Sequence, residues 1–256
     1  MLHRAIVRPP SENFADGLTT VDLGAPDFGM ALEQHERYCE ALVTCGLELT
    51  RLRPDPLYPD STFVEDTALM LPKSAILTRP GAPSRDGEIV EMESVLQGFF
   101  PSLRRIQPPG TVDGGDICDA GPHWFIGVSA RTNEEGARQL TGILAEAGFT
   151  SSRVDIRGVA GILHLKSGIA HVSDRKLVVI DSLAADPAFE SWEIVPVDAG
   201  EEYAANCVSV NGRLLFPKGF PRLEARLRTL GERPLVLDMS EFQKMDGGLS
   251  CLSLRF

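Results

Sequence analysis

One cysteine, one histidine and a surplus of carboxylates fall in short polar loops that recur along this chain. Such a set is suited to nucleophilic attack on a cation. The loops read Asp60-Ser61-Thr62-Phe63-Val64-Glu65-Asp66, Gly110-Thr111-Val112-Asp113-Gly114-Gly115-Asp116, Leu163-His164-Leu165-Lys166-Ser167-Gly168, Tyr203-Ala204-Ala205-Asn206-Cys207 and Lys244-Met245-Asp246-Gly247-Gly248-Leu249-Ser250-Cys251. Gathered about one point, they would supply a thiol nucleophile, an imidazole acid/base and a cation trap. Cys39, Cys45 and Cys118 read instead as small buried hydrophobes. Cys207 reads as a packed residue near the meeting point of the loops, and His171 as a structural side chain outside the loop motif. Asp116, after two glycines, reads equally as a turn cap or a ligand, and Asp246 as a group that shapes the loop before Cys251. Ligand spacing suggests no metal, and no cofactor is expected.

The loops recur because the elements around them do. Each copy reads as a helix, a short strand, a polar loop and a hairpin. Leu32, His35, Tyr38, Cys39, Leu42 and Val43 share one helical face before Gly46, and Ile89, Met92, Leu96 and Phe99 do so before Pro101. Ala137, Leu140, Leu144 and Ala147 precede Gly148, and Leu223, Leu227 and Leu230 precede Gly231. Apolar spacing of three and four with a terminal Gly marks a helix and its cap. The fourth copy, Leu183 to Trp192, is short and broken by Pro187. Thr132 to Glu135 reads as a capping box. Strands are expected at 47–52, 103–106, 154–156, 193–197 and 235–237. First hairpin arms are expected at 67–70, 116–118, 168–172, 207–210 and 249–254, with second arms at 75–77, 124–126, 177–180 and 213–216. The fifth hairpin runs out of chain, and Ala5-Ile6-Val7 is the unclaimed strand that would complete it. Repeats of this length form solenoids or closed rings, and a solenoid needs polar capping repeats. A ring with the polar loops converging on its axis is the expected fold, as one domain over residues 1–256.

Composition agrees. The chain has 256 residues, 43% of them hydrophobic, which suffices for a sizeable core. The apolar stretch after Met1 is too short for a signal peptide and no run approaches a membrane span. Five cysteines without a paired spacing imply reduced thiols and a cytoplasmic setting. A net charge of −11 opposes binding to nucleic acid or anionic membrane and suits a cationic ligand.

Phe63-Val64-Glu65-Asp66, Gly114-Gly115-Asp116, Ser129-Ala130-Arg131-Thr132-Asn133, His164-Leu165-Lys166 and Asp246-Gly247-Gly248-Leu249-Ser250-Cys251 together resemble the dimethylarginine dimethylaminohydrolases of the pentein, or amidinotransferase, superfamily. The resemblance runs from Asp16-Gly17-Leu18-Thr19 to Phe256. It implies a five-bladed α/β propeller of pseudo-fivefold symmetry, built from ββαβ-type modules, with the active site on the axis. It also implies hydrolysis of Nω-methylated arginine to citrulline and an alkylamine through a covalent thiouronium.

In that reading Cys251 is the nucleophile, His164 the acid/base, and Asp113 the carboxylate that orients the imidazole. Asp66 would hold the guanidinium, Asp60 and Glu65 would lie near the α-amino end, and Arg85 and Arg131 would clamp the α-carboxylate. Leu18 lies in a segment like the family's mobile lid, and Met245 sits at a backbone contact. The partner is a small cationic guanidino amino acid, and a homodimer is the family's habit. Arginine deiminase or amidinotransferase activity, and a non-catalytic binding ring, are the alternatives. Retention of Cys251 and His164 opposes the ring without chemistry.

Overall fold

The computed structural model describes all 256 residues. The chain opens with β1 (Arg4–Val7), α1 (Phe28–Thr44) and β2 (Glu48–Arg51). A second module runs β3 (Ala68–Leu71), β4 (Ser74–Leu77), α2 (Glu88–Gln97) and β5 (Leu103–Arg105). A third runs β6 (Ile117–Ala120), β7 (His123–Val128), α3 (Glu134–Glu146) and β8 (Thr150–Asp155). Next come β9 (Ile169–Ser173), β10 (Lys176–Ile180) and β11 (Glu193–Val197). The fifth stretch holds β12 (Val208–Val210), β13 (Arg213–Pro217), α4 (Pro221–Thr229) and β14 (Pro234–Leu237). The chain closes with a short α5 (Ser240–Gln243) and β15 (Leu254–Arg255).

These strands form five three-stranded sheets, ordered β3-β4-β5, β6-β7-β8, β9-β10-β11, β12-β13-β14 and β15-β1-β2. In the first four, a tight hairpin gives the antiparallel pair, and the parallel third strand needs a crossover, which a helix supplies in three. In the fifth, β1 replaces the missing arm: Ala5 and Ile6 pair antiparallel with Arg255 and Leu254, and β1 runs parallel to β2. The two ends of the chain therefore share a sheet, as expected for a ring. First arms from all five sheets line one axial channel of about 590 Å³, represented by Leu69, Cys118, Ala170, Ser209 and Arg255. The second arms are buried along most of their length, as in Ala75-Ile76-Leu77 and Leu177-Val178-Val179-Ile180. Such unbroken apolar runs belong to strands covered on both faces.

Local chemistry sets the ends. Asp27 caps α1 by accepting the Met30 N–H (2.8 Å), and Gly46 follows at φ +89°. Asn133, not Thr132, caps α3 by accepting the Gly136 N–H (2.8 Å). In the fourth module two short 3-10 turns, Asp181–Leu183 and Pro187–Phe189, replace the helix, in keeping with Pro187.

Several expectations need correction. Leu230, expected on a helical stripe, lies past α4 and is 40% exposed. On α1 the buried stripe follows Ala31, His35, Tyr38 and Leu42, leaving Leu32 37% and Val43 55% exposed. Each lies one residue, roughly 100° of helix, from a stripe position. The predicted strand over 249–254 shrinks to Leu254–Arg255, because Ser250–Leu252 turns as a 3-10 segment and carries Cys251 to the axis.

Leu42→Ala should then destabilise the fold by about 2–5 kcal/mol in denaturant unfolding, and Leu32→Ala by less than about 1 kcal/mol. Equal losses would mean that the stripe has been misread.

Candidate active site

Each polar loop ends in a 3-10 turn that delivers it to its first arm. The turns are Val64–Thr67, Gly114–Asp116, Leu165–Ser167, Glu202–Ala205 and Ser250–Leu252. The second packs so closely against the first and the third that only glycine fits at its two leading positions. A Cβ on Gly114 would lie 2.0 Å from the Glu65 carbonyl oxygen, and one on Gly115 2.7 Å from His164 Nδ1. Because Gly115 has no side chain, its N–H reaches Asp66 Oδ1 at 2.7 Å.

The result is a narrow cavity of about 30 Å³, at one end of the axis. Cys251, His164, Asp113, Leu18, Asp60, Asp66, Arg85, Arg131 and Met245, nine of the ten residues expected in the site, line it. The wider axial channel is a separate cavity, so size alone would have selected the wrong one.

Glu65 is the exception. Its carboxylate faces the channel, where it accepts from Lys166 Nζ (2.5 Å) and Ser250 Oγ (2.7 Å). Consecutive side chains point to opposite sides of the turn, so Asp66 and Glu65 do not share a cavity. Arg85 also departs from expectation. Its Nε and Nη2 grip Glu88 (2.9 and 2.7 Å), Nη1 donates to Asp66 (2.5 Å), and Nη2 reaches the Phe63 carbonyl (3.0 Å). Most of its donors are spent inside the protein, on Glu88, Asp66 and the Phe63 carbonyl. Arg131 lines the same cavity and enters no ion pair, so its fork is the free one. Glu88 was not anticipated; its spacing of three from Arg85 is the only signal in the chain.

His164 is buried, and its Nε2 lies 3.0 Å from Asp113 Oδ2. Asp113 is itself fixed: Oδ1 accepts the Gly81 N–H (2.7 Å), and its own N–H donates to Thr132 Oγ1 (3.1 Å). That bond explains why Thr132 does not cap α3. Asp116 accepts from the Leu165 N–H (3.0 Å) and from Ser129 Oγ (2.6 Å), so it anchors the histidine loop and does not line the cavity. The lid segment is tied down. Leu18 N–H donates to Asp60 (3.0 Å), and Thr20 N–H to Asp246 (2.5 Å), which holds a left-handed φ of 56°.

Charge decides the protonation states. Burial opposes a charged His164, but the Asp66, Asp116 and Asp113 carboxylates outweigh it and raise its pKa to about 9. Asp66 is also penalised by burial, yet His164, Arg85 and the Gly115 N–H hold it below the usual carboxylate range. Burial, then Glu65 and Asp66, push the Cys251 thiol up to about 12. In the free protein at neutral pH the pair is therefore an imidazolium and an un-ionised thiol. The other four cysteines are buried and lie outside this cavity. Asp66, Asp113 and His164 stand close enough to hold an ion, but each is already paired within the protein.

A five-sheet α/β ring with a thiol, an imidazole and carboxylates on its axis defines the pentein class of guanidine-modifying proteins. The chain belongs to the dimethylarginine dimethylaminohydrolase family. It is 46% identical to the N(G),N(G)-dimethylarginine dimethylaminohydrolase of Pseudomonas aeruginosa, covering 100% of both chains. It is 36% identical to the protein of that name from Streptomyces coelicolor, over 98% of this chain and 96% of the other. A solved structure of the Pseudomonas aeruginosa enzyme, a cysteine-to-serine variant complexed with citrulline, superposes with a TM-score of 0.96 at 45% identity, covering 100% of both chains. No family model matches the chain. No helix is long and apolar enough to cross a membrane.

An imidazole whose folded pKa lies above its free value stabilises the fold fully below that free value, 6.5, and loses the contribution as pH rises through about 9. In Asp113→Asn the His164 midpoint, followed by NMR, should fall by about one unit or more, and the loss of stability should move to lower pH with it. An unmoved midpoint would remove Asp113 from the ion pair.

Proposed function

We propose that this protein hydrolyses dimethylarginine and monomethylarginine to citrulline and dimethylamine or methylamine, with Cys251, His164 and Asp113 as its catalytic residues. The carrying observation is that a thiol, an imidazolium and the Asp60, Asp66 and Asp113 carboxylates line one narrow cavity. Full-length coverage of the dimethylaminohydrolases supports this reading over arginine deimination or amidino transfer.

Asp66 accepts N–H bonds from the guanidinium, whose positive charge offsets the carboxylates that keep the thiol protonated. Cys251 then loses its proton to solvent, and the thiolate attacks the guanidinium carbon, forming a C–S bond. His164, held by Asp113, gives its proton to the dimethylamino nitrogen, and the C–N bond breaks to leave a thiouronium on Cys251. Now neutral, His164 takes a proton from the water that attacks this carbon. The C–S bond breaks, the departing sulfur takes the proton of the new hydroxyl to restore the Cys251 thiol, citrulline leaves, and the imidazolium is restored. Arg131 binds the α-carboxylate, Asp60 the α-amino group, and Leu18 and Met245 close over the chain of the substrate. Arg85 adds at most a single free N–H to the carboxylate while it holds Asp66.

Cys251→Ser should produce no measurable citrulline from dimethylarginine while binding it within about tenfold of the parent, since the loss is in nucleophilicity. Activity above a few per cent of the parent, roughly, would contradict this. Arg131→Ala should raise KM by about ten- to a hundredfold with little change in kcat. Arg85→Ala should lower kcat as well, because Asp66 loses its partner. The reverse pattern would exchange the two roles.

A further inference from the structure

Tyr203 and Asn206, in the fourth loop, take no part in the steps above, yet both reach the turn that carries Cys251. The Asn206 side-chain amide is buried and engaged on both sides. Its Oδ1 accepts the Ser250 N–H at 2.9 Å, while Nδ2 donates to the Lys166 carbonyl at 2.9 Å and to Ser250 Oγ at 3.1 Å. Ser250 immediately precedes Cys251, and Lys166 lies two residues after His164. One planar amide thus bridges the backbone of the nucleophile turn to the backbone of the acid/base turn. Tyr203 holds the other side of the same segment, its hydroxyl donating to the Gly247 carbonyl at 2.8 Å. Burial and the neighbouring Cys251 keep that phenol well above its ordinary pKa, so it stays a neutral donor.

The fit is close. A Cβ on Gly248 would lie 2.5 Å from Asn206 Cγ, so the turn rests directly on the amide. Glu65 spans the same two turns through side chains, from Lys166 Nζ to Ser250 Oγ, on the channel side. The fourth loop is thus the only one of the five that brings no acid, base or nucleophile to the cavity, and it is the one bonded to the backbone on both sides of the reacting pair.

We propose that Asn206 and Tyr203 are positioning residues that fix the Cys251 thiol relative to the His164 imidazole. The proposal rests on the functional reading above. The charged groups assigned to the substrate, Asp60, Asp66, Arg85 and Arg131, lie on other loops and share no hydrogen bond with either residue; of the substrate contacts only Met245 shares the clamped segment. Loosening the clamp should therefore slow attack and proton delivery without weakening binding. A displacement of about 1 Å at reacting atoms is worth about a hundredfold in rate.

The test is steady-state kinetics on dimethylarginine, with rapid-quench measurement of covalent adduct on Cys251, for parent, Asn206→Ala and Tyr203→Phe. Asn206→Ala should lower kcat and the first-turnover rate together by about 30- to 100-fold, with KM within about threefold of the parent. Tyr203→Phe, which removes one hydroxyl and keeps the ring, should lower both rates by about three- to tenfold with the same unchanged KM. It decides the question if Asn206→Ala does not fold. Rates within about twofold of the parent in folded variants, or a loss confined to KM, would overturn the clamp. Absence of turnover in the parent itself would overturn the functional reading instead.

Discussion

Buried negative charge governs this molecule. Asp60, Asp66, Glu88, Asp113 and Asp116 are each nearly or wholly removed from solvent around one end of the axis, and they are answered with positive charge by Arg85, the His164 imidazolium and, across the cavity, Arg131. Isolated carboxylates in such a place would take up protons or unfold the chain. They persist because each is met by backbone N–H groups, a hydroxyl or a guanidinium. A deficit of positive charge remains, and a guanidinium substrate is of the right sign to fill it. Asp66, Asp116 and Asp113 raise His164 to about 9, while burial, with Glu65 and Asp66, suppresses ionisation of Cys251, up to about 12. In the proposed reaction, Cys251 therefore stays protonated until a cation arrives.

The ring is what allows such charge density. Five similar modules each deliver one 3-10 turn to the axis, and the turns satisfy one another: Asp66 by Gly115, Asp116 by Leu165, Ser250 by Asn206. No turn could be buried alone, since its backbone groups would lack partners. Closure through β1 and β15 brings the Cys251 turn, at the end of the chain, against turns nearly two hundred residues earlier. Cys251 is placed by the pairing of the two termini.

Much of this was legible in the residues. Helical stripes, hairpin arms and the unclaimed Ala5-Ile6-Val7 identify the repeat, because apolar period and terminal glycines are local signals. The site motifs, with the family resemblance, collect nine residues that do meet in one cavity. What was not legible is direction and partnership. Glu65 and Asp66 are adjacent in the chain, and nothing in a loop without periodicity says that their side chains face different cavities. Arg85 reads as a ligand for substrate, and its bonds to Glu88 and Asp66 cannot be read along the chain. Tyr203 and Asn206 act through backbone atoms more than forty residues away, a contact that leaves no pattern along the chain. Leu32 and Val43 miss the core because a helical face has edges that spacing alone does not locate.

The most direct test of the account is the ionisation of Cys251 itself, read from thiolate ultraviolet absorbance as the difference between the parent and Cys251→Ser. In the free protein the Cys251 thiolate signal should be absent at neutral pH and rise only in strongly alkaline solution, consistent with a thiol pushed up to about 12. Saturation with an alkylguanidinium that lacks a leaving group should bring the thiolate out at a pH lower by about two units or more, through the added positive charge. A full thiolate signal in the free protein at neutral pH, unchanged by the guanidinium, would contradict the claim that the substrate's own charge activates the nucleophile.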